Sequence, residues 1–197
     1  MLSTREAESS HYQIAFSIIC FLFSLFVPFI LLYPIQELLY RPDDFFYFEP
    51  YFKAYILFMA MLVVISLIPI GNILIKPTKN FNRIIKYCIL TIISILTIAT
   101  VFLCFNHYKY MNKEGIYLNH FFSLKEEFTS WDEIEKVEQV MVNEDGVTRV
   151  DRIVFTLKDG FTLELDNSTR LSKAKNNVNT ELQARGLKME NKLEDEE

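Results

Sequence analysis

Residues 87–118 read YCILTIISILTIATVFLCFNHYKYMNKEGIYL, and the change of composition within this stretch decides the fold. From Tyr87 to Phe105 there is no charged side chain. A run of this kind can cross a bilayer as a helix, which takes roughly 20 mostly apolar residues. From Lys109 onward, charged residues appear and apolar residues alternate with polar ones, as they do in a half-buried β-strand. The stretch therefore predicts a membrane helix that leads directly into a β-rich domain.

Two further apolar runs precede this one, and neither contains a charged residue. Only helices and closed barrels satisfy every backbone group in lipid, and continuous apolar runs exclude a barrel. We therefore expect three transmembrane helices, over residues 14–33, 55–75 and 87–105. Pro28 and Pro69 should kink or loosen the first two, because proline removes a backbone hydrogen-bond donor.

The connection between the first two helices, residues 34–54, is rich in aromatic side chains. Phe45, Phe46 and Tyr47 follow two aspartates in this connection. Aromatic rings favour the headgroup layer of a bilayer, so a loop lying on the membrane surface is the simpler interpretation. A contact site for a ligand, a lipid or a partner protein is the alternative.

Basic residues in the connections predict the orientation of the chain. The short second connection carries four of them: Lys76, Lys79, Arg83 and Lys86. The longer first connection holds only Arg41 and Lys53. The three expected spans predict a multi-pass protein of the cell membrane. Because lysine and arginine in short loops prefer the cytoplasm, the second connection is expected on the cytoplasmic side. The N-terminus would then be cytoplasmic and the β-rich domain extracytoplasmic.

The β-rich domain is predicted to span residues 107–187, after a transmembrane domain of residues 1–106. Its longest strand is expected at residues 134–142, and turn signals at residues 143–146 and 158–160 join successive alternating strands. Strands joined by tight turns predict a small antiparallel sheet or partial barrel.

A helix is expected to follow the strands and cap the sheet. Its apolar residues recur at helical spacing: Leu171, Ala174, Val178 and Leu182. One of the residues 167–169 can cap its start, and Gly186 can end it. The remaining residues, 188–197, are acidic and poor in apolar side chains, which predicts a disordered tail.

The segment NKEGIYLNHFFSLKEEFTSWDEIEKVE, residues 112–138, resembles the bacterial membrane-anchored type of pleckstrin-homology-like domain. In that family, a Gly-Ile-Tyr strand, a Trp-Asp-Glu-Ile step and a terminal helix follow one or more membrane helices. The matching residues here are Gly115 to Tyr117 and Trp131 to Ile134, and the likeness covers about residues 107–187. It implies an α+β fold in which Trp131 anchors the core. Asp132 is expected to cap the turn into Ile134.

The resemblance implies no activity. Members that bind phosphoinositides carry a basic cluster in the first hairpin, whereas residues 113–115 here are nearly neutral. Members of the bacterial type are usually considered to face the cytoplasm, which conflicts with the orientation that the loop charges predict. Some small bacterial membrane proteins with such domains protect their producer against its own peptide toxin.

The sequence contains no catalytic or metal-binding motif that predicts an enzyme. The three cysteines lie inside apolar runs, and no glycine-rich phosphate loop or zinc-protease motif is found. The net charge of −5 and the mixture of both signs in the β-rich half argue against nucleic-acid binding. Arg170, Lys173 and Lys175 form a basic group at the start of the last helix and are candidates for contact with anionic lipid.

These observations predict a non-catalytic integral membrane protein without a cofactor. Its β-rich domain would act as a binding or scaffolding surface beside the bilayer, and its partners would be the lipid bilayer and another membrane or membrane-associated protein. Self-immunity or a stress response against membrane-active peptides is the alternative, with the aromatic connection as the contact.

Overall fold

The computed structural model describes residues 2–75, 80–121, 123, 125–144 and 147–194. In chain order its elements are α1 (Leu2–Ser24), α2 (Val27–Tyr40), β1 (Tyr47–Pro50), α3 (Phe52–Leu74), α4 (Asn80–Phe105), β2 (Tyr108–Met111), β3 (Gly115–Leu118), β4 (Glu127–Ser130), a 3-10 turn (Trp131–Glu133), β5 (Ile134–Glu144), β6 (Val147–Leu157), β7 (Thr162–Asp166), α5 (Thr169–Gln183) and β8 (Met189–Glu194). The chain is therefore α+β, and all of its described strands except β1 follow the long apolar helices.

The chain divides into two compact units that are interleaved in sequence. The helical unit comprises Met1–Tyr40, Pro50–Tyr108 and Asn119–Leu124, and the β-rich unit comprises Arg41–Glu49, Lys109–Leu118 and Lys125–Glu197. The sequence predicted a single division after residue 106. The structure instead assigns most of the connection between α2 and α3 to the β-rich unit.

The helical unit contains two long helices that can each span a membrane, α3 and α4. A third span is possible if α1 and α2, which meet at a bend of 66°, together count as one. The predicted helix over residues 14–33 is thus not continuous. The bend has a local cause, because the ring of a proline clashes with the carbonyl four residues earlier. For Pro28 that residue is Ser24, where α1 ends.

The core of the helical unit lies where α2, α3 and α4 pack together. Its buried residues are Leu32, Ala54, Phe58 and Cys104. Most large apolar side chains of the helices instead point outward, among them Phe16, Phe23 and Leu96. Helix α2 also extends further than predicted, since residues 34–40 are helical rather than part of a loop.

The β-rich unit contains two four-stranded sheets. The first has the strand order β1-β2-β3-β4, and the second has the order β7-β6-β5-β8. Neighbouring pairs from β2 to β4 and from β5 to β7 are antiparallel, as the alternating sequence predicted. The turn predicted at residues 158–160 is confirmed, because Gly160 has φ +87° and donates to the Leu157 carbonyl at 2.9 Å. The turn predicted at residues 143–146 lies partly outside the described residues.

The tryptophan is the centre of the β-rich unit, and its predicted role as a core anchor is confirmed. Trp131 is 0% exposed, and its indole N–H donates to the Asn112 carbonyl at 2.9 Å. Its ring contacts Phe46 and Phe155, each with 6.3 Å between ring centroids. The predicted cap at Asp132 is wrong, since the hydroxyl of Ser130 accepts the Asp132 N–H and caps the turn instead.

Helix α5 packs with its apolar stripe inward, as its spacing predicted. Its buried residues are Leu171, Ala174, Val178 and Leu182. Ser168 caps its start by accepting the Leu171 N–H at 3.0 Å, and Gly186, with φ +75°, follows its end. This part of the prediction is confirmed.

The acidic tail differs from its prediction. Residues Met189–Glu194 form β8 and pair in parallel with β5, so the predicted disorder is wrong for these six residues. The side chains of β8 bury little surface, which explains why a pattern of buried residues does not reveal the strand. The last three residues of the tail lie outside the described part of the chain.

Candidate functional site

The aromatic connection before α3 is built into the β-rich unit. Tyr47 begins β1 and is 2% exposed. The backbone N–H of Phe46 donates to the Met111 carbonyl at 3.0 Å, and its ring stacks on Trp131. Phe45 is half-buried, and the guanidinium of Arg41 lies 4.4 Å from its ring centroid. Phe46 and Tyr47 therefore contribute packing to this unit, and neither presents a free ring.

A buried polar cluster joins β1, β2 and the start of α5. One carboxylate oxygen of Glu49 accepts hydrogen bonds from the hydroxyls of Tyr47 at 2.6 Å and Ser168 at 3.0 Å. The ammonium of Lys109 lies 3.7 Å from the same oxygen. The side chains of Lys109 and Glu49 are only 6% and 15% exposed, so this ion pair is shielded from water. The cluster fixes β1 against the rest of the unit.

Burial sets the protonation properties of this cluster. Loss of water lowers the pKa of Lys109 below its ordinary value, and the negative charges of Glu49 and Asp166 partly oppose that change. A buried lysine of this kind costs stability unless its counter-ion remains in place. The lysine faces inward and is 5% exposed as a whole residue.

The opposite face of the first sheet carries a row of neighbouring aromatic rings. Tyr110 and Tyr117 lie 4.4 Å apart with nearly parallel planes, and Phe128 lies 4.7 Å from Tyr117. Burial raises the pKa of Tyr110, and the nearby carboxylate of Glu126 raises it further. Phe128 at the end of the row is 50% exposed. The row is a cross-strand packing feature.

The basic residues predicted as a lipid contact do not form one patch. A helix turns about 100° per residue, which places Lys175 roughly 140° around α5 from Arg170. Lys173 is exposed, whereas Lys175 is half-buried and donates a hydrogen bond to the side-chain oxygen of Gln139 on β5. Lys175 thus belongs to the side of α5 that faces the second sheet.

A polar cleft of about 320 Å³ opens beside Lys175. It lies between α5 and β8, and Gln139 of β5, which is 5% exposed, also lines it. Its other polar lining side chains are Lys175, Asn179, Gln183, Lys188 and Asn191. Among the described residues, the lining contains no carboxylate, hydroxyl, thiol or imidazole side chain. Its chemistry suits recognition through charge and hydrogen bonds.

In the helical unit, the buried side chain of Gln36 binds backbone carbonyls at the end of α4. The amide of Gln36 donates to the carbonyls of Cys104 at 2.9 Å and His107 at 3.1 Å. The His107 ring stacks on Tyr51 at 4.1 Å, and its Nδ1 lies 2.9 Å from the Asn119 carbonyl oxygen. Because the last carbonyls of a helix have no partner within the helix, Gln36 and the turn after α4 satisfy a structural need.

The described residues contain no group of three or more histidine, cysteine, aspartate or glutamate side chains that could hold a metal ion. No protein-family model matches the chain, and no similar curated protein or solved structure was found. Functional inference therefore rests on the geometry of this chain.

Sequence reasoning missed two features that the fold brings together. Glu49 and Lys109 lie on opposite sides of the α3–α4 hairpin in the chain, and no local pattern links them. The cleft was missed because one of its walls is β8, in a segment predicted to be disordered. A signal was present only for Lys175, which was singled out as part of a basic group.

Proposed function

We propose that the chain is a non-catalytic integral membrane protein that presents a binding or scaffolding domain at the surface of the cell membrane. The supporting observation is the position of β1. This strand precedes the α3–α4 hairpin in the chain, whereas β2 follows the hairpin, yet both belong to the first sheet. The β-rich unit is thus assembled from segments at both ends of a helical hairpin.

The composition and exposure of the helices support a membrane location. Helices α3 and α4 reach mean hydropathies of 2.5 and 2.6, and many of their large apolar side chains point outward. Soluble proteins rarely expose continuous apolar surface of this extent, because its contact with water is unfavourable. A bilayer is the environment that such a surface fits.

Short connections support a domain held close to the bilayer. One residue separates β1 from α3, and two residues separate α4 from β2. If α3 and α4 cross the membrane, both strands leave it on the same side, as one sheet requires. A domain joined at both ends of a hairpin is restrained more than one on a single flexible linker, which suits a docking surface for a membrane or membrane-associated protein.

The strand pattern supports a pleckstrin-homology-like arrangement for this domain. Two sheets are followed by a helix that packs its apolar stripe inward, and a buried tryptophan stands at the step between the sheets. Two elements depart from the simple pattern: β1 comes from before the helical hairpin, and β8 follows the last helix. We propose a domain of this class with one additional strand at each sheet.

The lack of reacting groups in the cleft supports binding rather than catalysis. Four carboxamides and two lysines can hold a ligand, but they supply no nucleophile with an adjacent base.

For the orientation, the loop charges favour a cytoplasmic N-terminus and an extracytoplasmic domain. The partners would then be reached from the outer surface of the membrane.

Cross-linking in native membranes tests the proposed architecture. The side chains of Asp44 and Asn112 meet in a 3.4 Å hydrogen bond within the β-rich unit. With the native cysteines replaced, cysteines at both positions should form an oxidant-dependent link in a chain that stays in the membrane after alkaline carbonate extraction. Either single-cysteine variant is the control. Extraction of the chain by carbonate, or no link at all, would contradict the proposal.

A further inference from the structure

The cleft between α5 and β8 is lined by two lysines and, among the described residues, by no carboxylate. Four basic side chains elsewhere in this unit pair with carboxylates: Lys136 with Glu138, Arg149 with Glu144, Arg152 with Asp151, and Arg185 with Asp132. Among the described residues, no carboxylate lies within ion-pair distance of Lys175 or Lys188, and the side-chain partner of Lys175 is the neutral amide of Gln139. Within the described part of the chain, the two lysines of the cleft therefore have no counter-ion.

The spacing of polar groups along the cleft matches an extended peptide. Lys175, Asn179 and Gln183 are four residues apart on α5, so successive side chains are about 6 Å apart along the helix. An extended strand presents side chains to one face every second residue, about 6.6 Å apart. Carboxamides both donate and accept hydrogen bonds, as peptide groups do. The polar side chains of α5 are thus spaced at nearly the same interval as the side chains on one face of an extended peptide.

The two lysines lie at opposite ends of the cleft and on opposite walls. Lys175 is on α5 beside Gln139, which pairs in register with Asn191 of β8. Lys188 directly precedes β8, three residues before Asn191, which corresponds to about 10 Å of extended chain. In an extended ligand, residues three positions apart are about 10 Å apart and point to opposite sides.

We infer that this cleft binds an extended segment of a partner protein that carries acidic residues three positions apart. One carboxylate pairs with Lys175 and the other with Lys188, while Asn179, Gln183 and Asn191 bind the polar groups between them. The volume of about 320 Å³ fits a segment of a few residues and lies at the lower end of ligand-site volumes. This inference rests on the proposed function and specifies the kind of partner that the binding domain recognises.

Nuclear magnetic resonance of the full chain in neutral detergent tests the inference. The probe is an acetylated, amidated tetrapeptide with glutamate at both ends and threonine and serine between them. It should cause saturable shifts at the backbone amides of residues 188–191 and of α5. The same peptide with glutamine at both ends should bind at least about fivefold more weakly, as expected for the loss of exposed charge pairs.

Matched variants assign the effect to the cleft. K175Q and K188Q should each weaken binding about fivefold, whereas K173Q, which removes an exposed charge outside the cleft on the same helix, should leave it unchanged. K175E should bind one of the two peptides in which a single glutamate is replaced by lysine better than it binds the original peptide. The fluorescence of buried Trp131 verifies that each variant is folded before its binding is compared.

Two results would overturn the inference. The first is a failure of the acidic peptide to depend on the two lysines, seen either as no shifts in a chain that Trp131 fluorescence shows to be folded or as equal binding by wild type and the K175Q/K188Q double variant. The second is a shift of the same resonances by phosphatidylglycerol nanodiscs but not by the peptide, which would assign the cleft to lipid. Neither result affects the cross-link between positions 44 and 112, so the architecture is tested separately.

Discussion

Breaking the buried ion pair between Glu49 and Lys109 should strongly destabilise the β-rich unit, and Glu49→Gln tests this. Glutamine keeps an oxygen that can accept the hydroxyls of Tyr47 and Ser168, so the substitution removes mainly the negative charge. Lys109, whose side chain is 6% exposed, would then remain buried without its nearest counter-ion.

The size of the effect follows from burial. Removing one partner of a buried ion pair typically costs about 3–5 kcal/mol, because the remaining charge is left without compensation. The Glu49→Gln/Lys109→Met double variant removes both charges and keeps the hydrogen-bond acceptor. Replacing a buried pair by apolar groups is often neutral, so the double variant should lie within about 1.5 kcal/mol of the wild type.

The assay uses the single tryptophan of the chain. Trp131 is buried in the β-rich unit, so its fluorescence during urea unfolding in mild detergent reports on this unit. The free energy of unfolding is compared among wild type, Glu49→Gln and the double variant, at the same detergent concentration. A loss below about 0.5 kcal/mol for Glu49→Gln, as for ordinary surface substitutions, would refute the reasoning.

Three further predictions follow from the same geometry. Burial lowers the pKa of Lys109, so the unfolded chain keeps the lysine proton to a higher pH than the folded chain does. The free energy of unfolding should therefore rise with pH between the lowered pKa and about 10.4. Lys109→Met should abolish this rise in titrations kept below pH 10. Phe155→Ala should destabilise the β-rich unit by about 3–5 kcal/mol in urea unfolding followed by tryptophan fluorescence, and a loss of a few tenths would show that the ring is not a core residue. Pro28→Ala should reduce the 66° bend, so that spin labels at Tyr12 and Leu39 move apart by roughly 5 Å in pulsed electron paramagnetic resonance; an unchanged distance would assign the bend to packing.

The sequence predicts α3 and α4 well because the signal for these helices is local. Each contains a long uncharged run, and the requirement to satisfy the backbone in lipid leaves few alternatives. The strands β5 to β7 and helix α5 are also readable, since alternation, turn residues and a one-sided apolar stripe lie within short windows. Trp131 is recognisable for the same reason, as the largest apolar residue at a strand boundary.

The features that the sequence did not reveal depend on pairing between distant segments. Strand β8 buries few side chains and is defined by backbone hydrogen bonds to β5, which leave no hydrophobic pattern. Strand β1 looks like an aromatic loop until its partner β2, on the far side of two long helices, is known. The ion pair of Glu49 with Lys109 and the cleft at Lys175 arise from these same pairings.

The proposed architecture makes a definite demand on membrane topology. The connection before α3 and the domain after α4 contribute strands to one sheet, so both must lie on the same side of the membrane. The start of α4 must then lie on the opposite side if α3 and α4 each cross once. The loop charges predict that the start of α4 is cytoplasmic.

Labelling of single cysteines in intact cells with a membrane-impermeant thiol reagent measures this directly. Cys20, Cys88 and Cys104 are first replaced, and one cysteine is then introduced at exposed Asp43, Ser172 or Asn82. The account predicts labelling at positions 43 and 172, and at position 82 only after the cells are permeabilised. The reverse pattern would place the domain in the cytoplasm, whereas different labelling of positions 43 and 172 would contradict the shared sheet and with it the central claim.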